Sequence, residues 1–202
     1  MRKLFVAIML TLPLFATAQN TWEMPEPNEQ GVKANPDQKY LEGAVPVVDG
    51  RVTFRTEISA PGKSADQIYA ILHSYLARME KEPNQTEQSR IALADSAKHF
   101  LCGSYQEWLV FKSTALVLDR TRFIYNIIAE CSDGKATISL TRIAYFYDEE
   151  RNPQTFKAEE WITDEYGLKK NKQKLSRISG KFRRKTIDRK EYLFNKFASL
   201  LK

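Results

Sequence analysis

The chain predicts an α+β fold, an antiparallel sheet with helices on one face. Three observations carry that prediction. Several strand-like runs follow one another between residues 89 and 147 with no helical period among them. A segment of helical period lies on either side of that block. An Asp133-Gly134 pair joins the two longest runs at hairpin spacing, so neighbouring strands run antiparallel and the helices must cover a face.

Residues 19–48 read as an extended tail. Pro25, Pro27, Pro36 and Pro46 interrupt a polar stretch of no clear period, and Trp22 is its one large ring besides Tyr40. A single domain is expected over residues 49–202. Residues 51–59 alternate, with Val52, Phe54, Thr56 and Ile58 on one side, which makes a half-buried strand. Pro61-Gly62 ends it. Ser64 and Gln67 then have the spacing of a capping box, in which a hydroxyl and an amide satisfy two backbone donors that a helix start leaves free. Ile68, Leu72, Leu76 and Met79 give that helix one apolar face.

Residues 89–95, 100–111, 121–131 and 135–147 are the next four strands, with 114–118 either extending the second of these or standing alone. A type I′ turn at Asp133-Gly134 sets a register in which opposed residues are Ala129 and Ile138, Ile127 and Leu140, Tyr125 and Arg142, and Phe123 and Ala144. That face is mostly apolar and belongs under helices. The other face carries Arg122, Asn126, Thr141 and Tyr145 and reads as solvated. Residues 148–154 form a charged loop. Residues 158–166 have the length of a short helix stopped by Gly167. Residues 169–185 are a basic connection, and Thr186 is placed to cap a last helix with a stripe of Ile187, Phe194, Phe197 and Leu201. The order is β-α-β-β-β-β-(short α)-α.

Residues 1–18 have the three parts of a secretory signal peptide: Arg2-Lys3, a twelve-residue apolar run from Leu4 to Phe15, and the small-x-small site Ala16-Thr17-Ala18. A spanning helix needs roughly 20 apolar residues. The run is too short for that, and no cysteine follows to take a lipid. The mature chain is therefore expected to start at Gln19, without a transmembrane segment, and to be periplasmic or secreted. Export directs the basic block toward envelope partners and away from nucleic acid. The net charge is +6. Between Lys169 and Lys190 eleven Lys and Arg side chains accompany one acid, Asp188. Such a run is a solvated connection or a docking element for an anionic surface.

Four ordered blocks resemble a bacterial exported family, domain of unknown function 4468, with a TBP-like fold. They are Val45-Pro46-Val47-Val48-Asp49-Gly50, Pro61 through Tyr69, Ala158 through Asp164, and Gly180 through Asp188. The resemblance runs from Val45 to Leu201. It implies the β-α-β4-α arrangement and brings no catalytic or binding residues with it.

Chemistry-bearing motifs are sparse. His73 and His99 are isolated, with no ligand spacing for a metal. The glycines form no phosphate loop and no Gly-x-Ser-x-Gly elbow occurs, so no cofactor is implied. His99 and Cys102 fall on opposite faces of a strand. Cys102 and Cys131 are the disulfide pair that export permits. A turn centred near Leu116 opposes them, one at Asp119-Arg120 separates them, and two free thiols are the alternative. Asn84-Gln85-Thr86 has the form of a glycosylation sequon.

The candidate binding residues are therefore Arg122, Asn126, Thr141 and Tyr145 on the open face, with Lys181, Arg183, Arg184 and Lys185 from the basic run. The expected function is a non-enzymatic module that binds an envelope protein or an anionic ligand. The alternatives are a hydrolase of envelope material, which needs a cleft holding perturbed acids or a histidine, and a structural subunit of an envelope assembly.

Overall fold

Alternation governs the sheet of the computed structural model, which describes residues 20, 22–23 and 35–202. The predicted signal peptide lies outside the described residues. After a 3₁₀ turn at Gln38–Tyr40 come β1 (Val47–Val48), β2 (Arg51–Ser59) and α1 (Ala65–Met79). The strands β3 (Arg90–Asp95), β4 (Phe100–Ser113), β5 (Leu118–Ser132), β6 (Lys135–Tyr147) and β7 (Gln154–Lys157) follow, and α2 (Gly180–Leu201) ends the chain. The sheet order is β1-β2-β6-β5-β4-β3, all antiparallel, with β7 pairing β6 beyond the end of β2. The fold is the predicted α+β arrangement.

Both helices cover one face. From α1, Ile68, Leu72, Leu76 and Met79 are buried, as the period predicts. The capping box forms, with Ser64 Oγ accepting from the Gln67 amide at 3.3 Å and Gln67 Oε1 from the Ser64 amide at 2.9 Å. From β4 and β5, Leu101, Tyr105, Leu109, Phe123, Tyr125, Ile127 and Ala129 point into the same core. Gly103 belongs to that face because its neighbour needs the space. A Cβ there would lie 2.3 Å from the Tyr105 ring, whose hydroxyl donates to the Leu76 carbonyl at 2.9 Å.

The register holds from Ser132–Lys135 to Asn126–Thr141 and then shifts by one residue. Arg142 is the extra residue, with φ of 53°, and beyond it Ile124 faces Ala144 and Phe123 faces Tyr145. A bulge re-aims everything past it because side chains alternate with period two. Tyr145, expected on the open face, is therefore in the core. It is fully buried, and its hydroxyl is 2.6 Å from Thr186 Oγ1.

Turn chemistry also differs from expectation. At Asp133-Gly134 only Gly134 has positive φ, so the turn is not type I′. Asp133 accepts from the Ala65 amide and Gly134 bonds to Ala60 and Lys63, which ties this turn to the start of α1. The doubly left-handed pair is Asp49-Gly50, at φ of 50° and 73°, joining β1 to β2.

Three further segments depart from the sequence reading. Residues 35–48 are not a loose tail: Tyr40, Leu41 and Val45 are buried. Only Ala158–Glu160 is helical between β7 and α2, as one 3₁₀ turn. Helix α2 starts at Gly180, well before Thr186, so the end of the basic run, residues 181–185, lies in its first two turns. Positive side chains oppose the dipole at a helix start, which hid this beginning. Of the expected stripe Ile187, Phe197 and Leu201 are buried, but Leu193 takes the place given to Phe194.

Candidate functional site

Neither helix covers the second face of the sheet. Arg122, Asn126 and Thr141 lie on it together. Asn126 pairs with Thr141 across β5 and β6, and its Nδ2 is 3.8 Å from Cys102 Sγ. Thr141 is buried within the sheet surface, its Oγ1 2.9 Å from that of Thr53 and 3.3 Å from the Val52 carbonyl. Arg122 is part-buried and forms a two-point ion pair with Glu149. Its guanidinium lies 5.6 Å from the Trp108 ring centre and 5.3 Å from that of Phe146.

Trp108 is the anchor that sequence reasoning missed. It pairs with Arg122 across β4 and β5, and Arg120 stacks on its ring at 3.8 Å. Such cation–π contacts contribute about 0.5–2 kcal/mol and hold a guanidinium at a fixed place. Beside this stack, a depression of about 500 Å³ is lined by Trp108, Arg120, Tyr147 and Glu149 and by the exposed hairpin residues Leu116 and Val117. The open face thus has a polar hydroxyl and amide centre with an aromatic–guanidinium end.

The basic run does not add to it. Arg183 is fully buried and fully used. Its guanidinium donates to the carbonyls of Tyr40 (2.6 Å), Ile162 (2.7 Å) and Leu41 (2.6 Å), and it pairs with Asp164 at 2.7 Å. Lys181 pairs with Asp119 at 2.6 Å and donates to the Tyr147 hydroxyl at 3.0 Å. Arg184 pairs with Asp37, and Lys185 with Glu23. These four cations fasten α2 to the rest of the chain, so the anion-docking surface expected of them is corrected to a set of internal ties. Sequence alone shows the charges and not the acids, which lie 19 to about 160 positions away.

A second unforeseen feature is a buried charge cluster. Glu107 and Arg189 are both without solvent exposure and form a two-point pair at 2.7 and 2.8 Å. Glu82 reaches Arg189 at 3.3 Å and Gln85 donates to Glu107 at 2.9 Å. Burial pushes the Glu107 carboxyl above the usual carboxylate range, against the pull of Arg189. Burial also acts to lower Arg189, and the Glu107 carboxylate more than offsets that, so the guanidinium stays charged. The signal was present in the sequence: Glu107 interrupts an otherwise uncharged core face, Leu101, Gly103, Tyr105 and Leu109.

The remaining candidates separate. Cys102 and Cys131 are free. Cys102 faces Ile128 on the open side, whereas Cys131 lies three positions on, toward the helices, so the disulfide geometry is absent. Burial raises the Cys102 thiol, and pushes that of Cys131 up to about 11. His99 Nε2 is 2.8 Å from Asp66, and His73 stacks on Tyr69 at 6.0 Å. Among the described residues no cluster of three or more His, Cys, Asp or Glu is placed to hold a metal. The Asn84 Nδ2 of the sequon is buried.

This arrangement, a twisted antiparallel sheet with two helices on one side, is the TBP-like α+β class. The family described as "Domain of unknown function (DUF4468) with TBP-like fold" matches residues 54–146. The chain is 42% identical to a DUF4468 family protein of Bacteroides ovatus ATCC 8483 whose crystal structure is known. That match covers 83% of this chain and 96% of the other, with a TM-score of 0.77. The chain belongs to the DUF4468 family. A TBP-like protein of Parabacteroides distasonis ATCC 8503 is similar in fold alone, at 18% identity and a TM-score of 0.60 over 78% of this chain and 96% of that one. No curated protein matches.

Proposed function

We propose that this protein is an exported, non-enzymatic binding module of the bacterial cell envelope, and that the open sheet face is its site. One observation carries the reading. Among the described residues neither helix covers the wide face of β2, β6, β5 and β4, and it ends in the Arg120–Trp108–Arg122 stack. Aromatic and arginine side chains of this kind are the usual energetic anchors of protein interfaces. Asn126 and the neighbouring Ser104 and Gln106 supply donors and acceptors around them. The partner that suits such a face is an envelope protein with a polar contact surface. Export is supported by the three-part pattern of residues 1–18, and among the described residues no helix is long and apolar enough to cross a membrane.

The test is co-sedimentation of the chain starting at Gln19 with the envelope fraction of its own source bacterium. Trp108→Ala and Asn126→Arg are expected to lose retention at least tenfold. Retention should persist at high salt, because the contact is carried by the Trp108 ring and the uncharged Asn126 and screening acts mainly on exposed charge. Equal retention of wild type and both variants would exclude the face as the site.

A further inference from the structure

The edge of β4 is met in turn by β3, by the segment after α1 and by Asn20. Strand β3 pairs β4 only from Phe100 to Ser104. The segment after α1 continues that edge, with Gln85 bridging Glu107 and the Asn84 carbonyl accepting from the Trp108 amide at 2.8 Å. At Val110 the edge is met by a side chain instead of a strand. Asn20 Nδ2 donates to the Val110 carbonyl and Asn20 Oδ1 accepts from the Val110 amide, both at 3.0 Å. One carboxamide thus reproduces the paired bonds of a β ladder.

Two residues on, Trp22 is buried against α2, 6.3 Å from the Tyr192 ring and 5.5 Å from the Arg189 guanidinium. Glu23 then pairs with Lys185. The contacts form a row: an edge peptide group, an aromatic slot and a cation. Two buried donors in the slot, Arg189 Nη1 and Trp22 Nε1, have no acceptor. Unpaired buried donors are costly, so this occupant fills the slot without completing it.

We propose that the groove between the β4 edge and α2 is a docking site for a peptide turn of the pattern Asn-x-Trp-Glu, and that this chain's own Asn20–Glu23, closed by the Glu23 amide donating to the Asn20 carbonyl at 3.1 Å, is its tethered, releasable ligand. On the reading that residues 1–18 are removed, Asn20 is the second residue of the mature chain. The ligand is then a free end, which enters and leaves a groove without threading. Recognition then rests on the side chains, with one carboxamide on the Val110 peptide group, one indole in the slot and one carboxylate on Lys185.

The experiment uses the chain starting at Gln19 and a fluorescent peptide of residues 19–26. An Asn20→Ala/Trp22→Ala variant, which vacates the groove, is expected to bind the peptide saturably and at least tenfold more tightly than wild type. A peptide with Trp22→Ala should not bind. Circular dichroism shows whether the variant is folded. If it is not, Glu23→Lys, which breaks one ion pair, must raise peptide binding above that of wild type. Equal binding to wild type and variant, or no binding to any folded variant, would overturn the proposal. So would concentration-dependent dimers of wild type, which would mean exchange of the segment between copies.

Discussion

The two faces of the sheet are built from the same strands and differ in how deeply they hold polar groups, since the open face pairs Arg122 with Glu149 at its end but, among the described residues, keeps Asn126 and Arg120 off any acid. Under the helices, the two buried guanidiniums face acids at short range, Arg189 facing Glu107 and Glu82, and Arg183 facing Asp164 together with three carbonyls. On the open face, Asn126 has a long contact to a sulfur, and Arg120 rests on a ring. The covered face spends its charge on holding the fold. The open face keeps polar capacity for something else. Substitutions should therefore split cleanly, with stability lost on one side and binding on the other.

The largest expected effect is at the buried pair. Arg189→Met strands Glu107 in the core, and removing one partner of a buried pair costs about 3–5 kcal/mol. Adding Glu107→Leu to it should restore most of that in urea unfolding, because two apolar groups leave no orphan. Failure of the second change to rescue the first would break the picture of a mutually compensating pair.

Arg183→Leu comes next. It leaves three carbonyls and Asp164 without their donor, at about 1–3 kcal/mol for each group that water cannot reach. The 3₁₀ turn at Gln38–Tyr40 should then exchange its amide hydrogens faster, since the clamp holds the Tyr40 and Leu41 carbonyls. Tyr145→Phe removes one buried hydrogen bond to Thr186 and should cost about 1 kcal/mol in the same unfolding measurement. Asn126→Ala, on the open face, should change stability by less than about 0.5 kcal/mol.

The smallest effect is chemical. Cys131, with its thiol pushed up to about 11 by burial, stays protonated at pH 8 and should alkylate far more slowly than an exposed thiol. The sign follows from linkage. Raising the folded pKa favours the protonated thiol, so its contribution to stability is present at neutral pH and fades as pH rises toward 11. Rapid labelling of Cys131 at pH 8 in the folded protein would contradict its place under the helices.

Local patterns were legible in the sequence and long-range partners were not. The Ser64–Gln67 box, the apolar stripe of α1 and the alternation of β2 depend on residues within a turn or two of one another, and each formed as read. The register of β5 and β6 was readable until Arg142, since nothing nearby marks an arginine at positive φ as a bulge. The start of α2 was obscured because Lys181, Arg183, Arg184 and Lys185 look unfavourable at a helix start until Asp119, Asp164, Asp37 and Glu23 are brought beside them. On the open face, Arg122, Asn126 and Thr141 were placed together correctly. Trp108 was missed because it joins them only through the register of β4 on β5.

The bulge at Arg142 acts on the sheet as an inserted base acts on a reading frame. Before it, odd and even positions of β6 carry one meaning; after it, the meanings are exchanged. Ile138 and Leu140 belong to the core as even residues, Ile143 and Tyr145 as odd ones. Deleting this one residue would leave Ile143 and Tyr145 facing the core on a regular strand, whereas keeping it but pairing it as an ordinary strand residue would turn Ile143, Tyr145 and Tyr147 outward and pull Ala144 and Phe146 beneath the helices. A comparison of family members that slides a gap past this position would therefore match inner residues with outer ones while every neighbouring identity still looked reasonable.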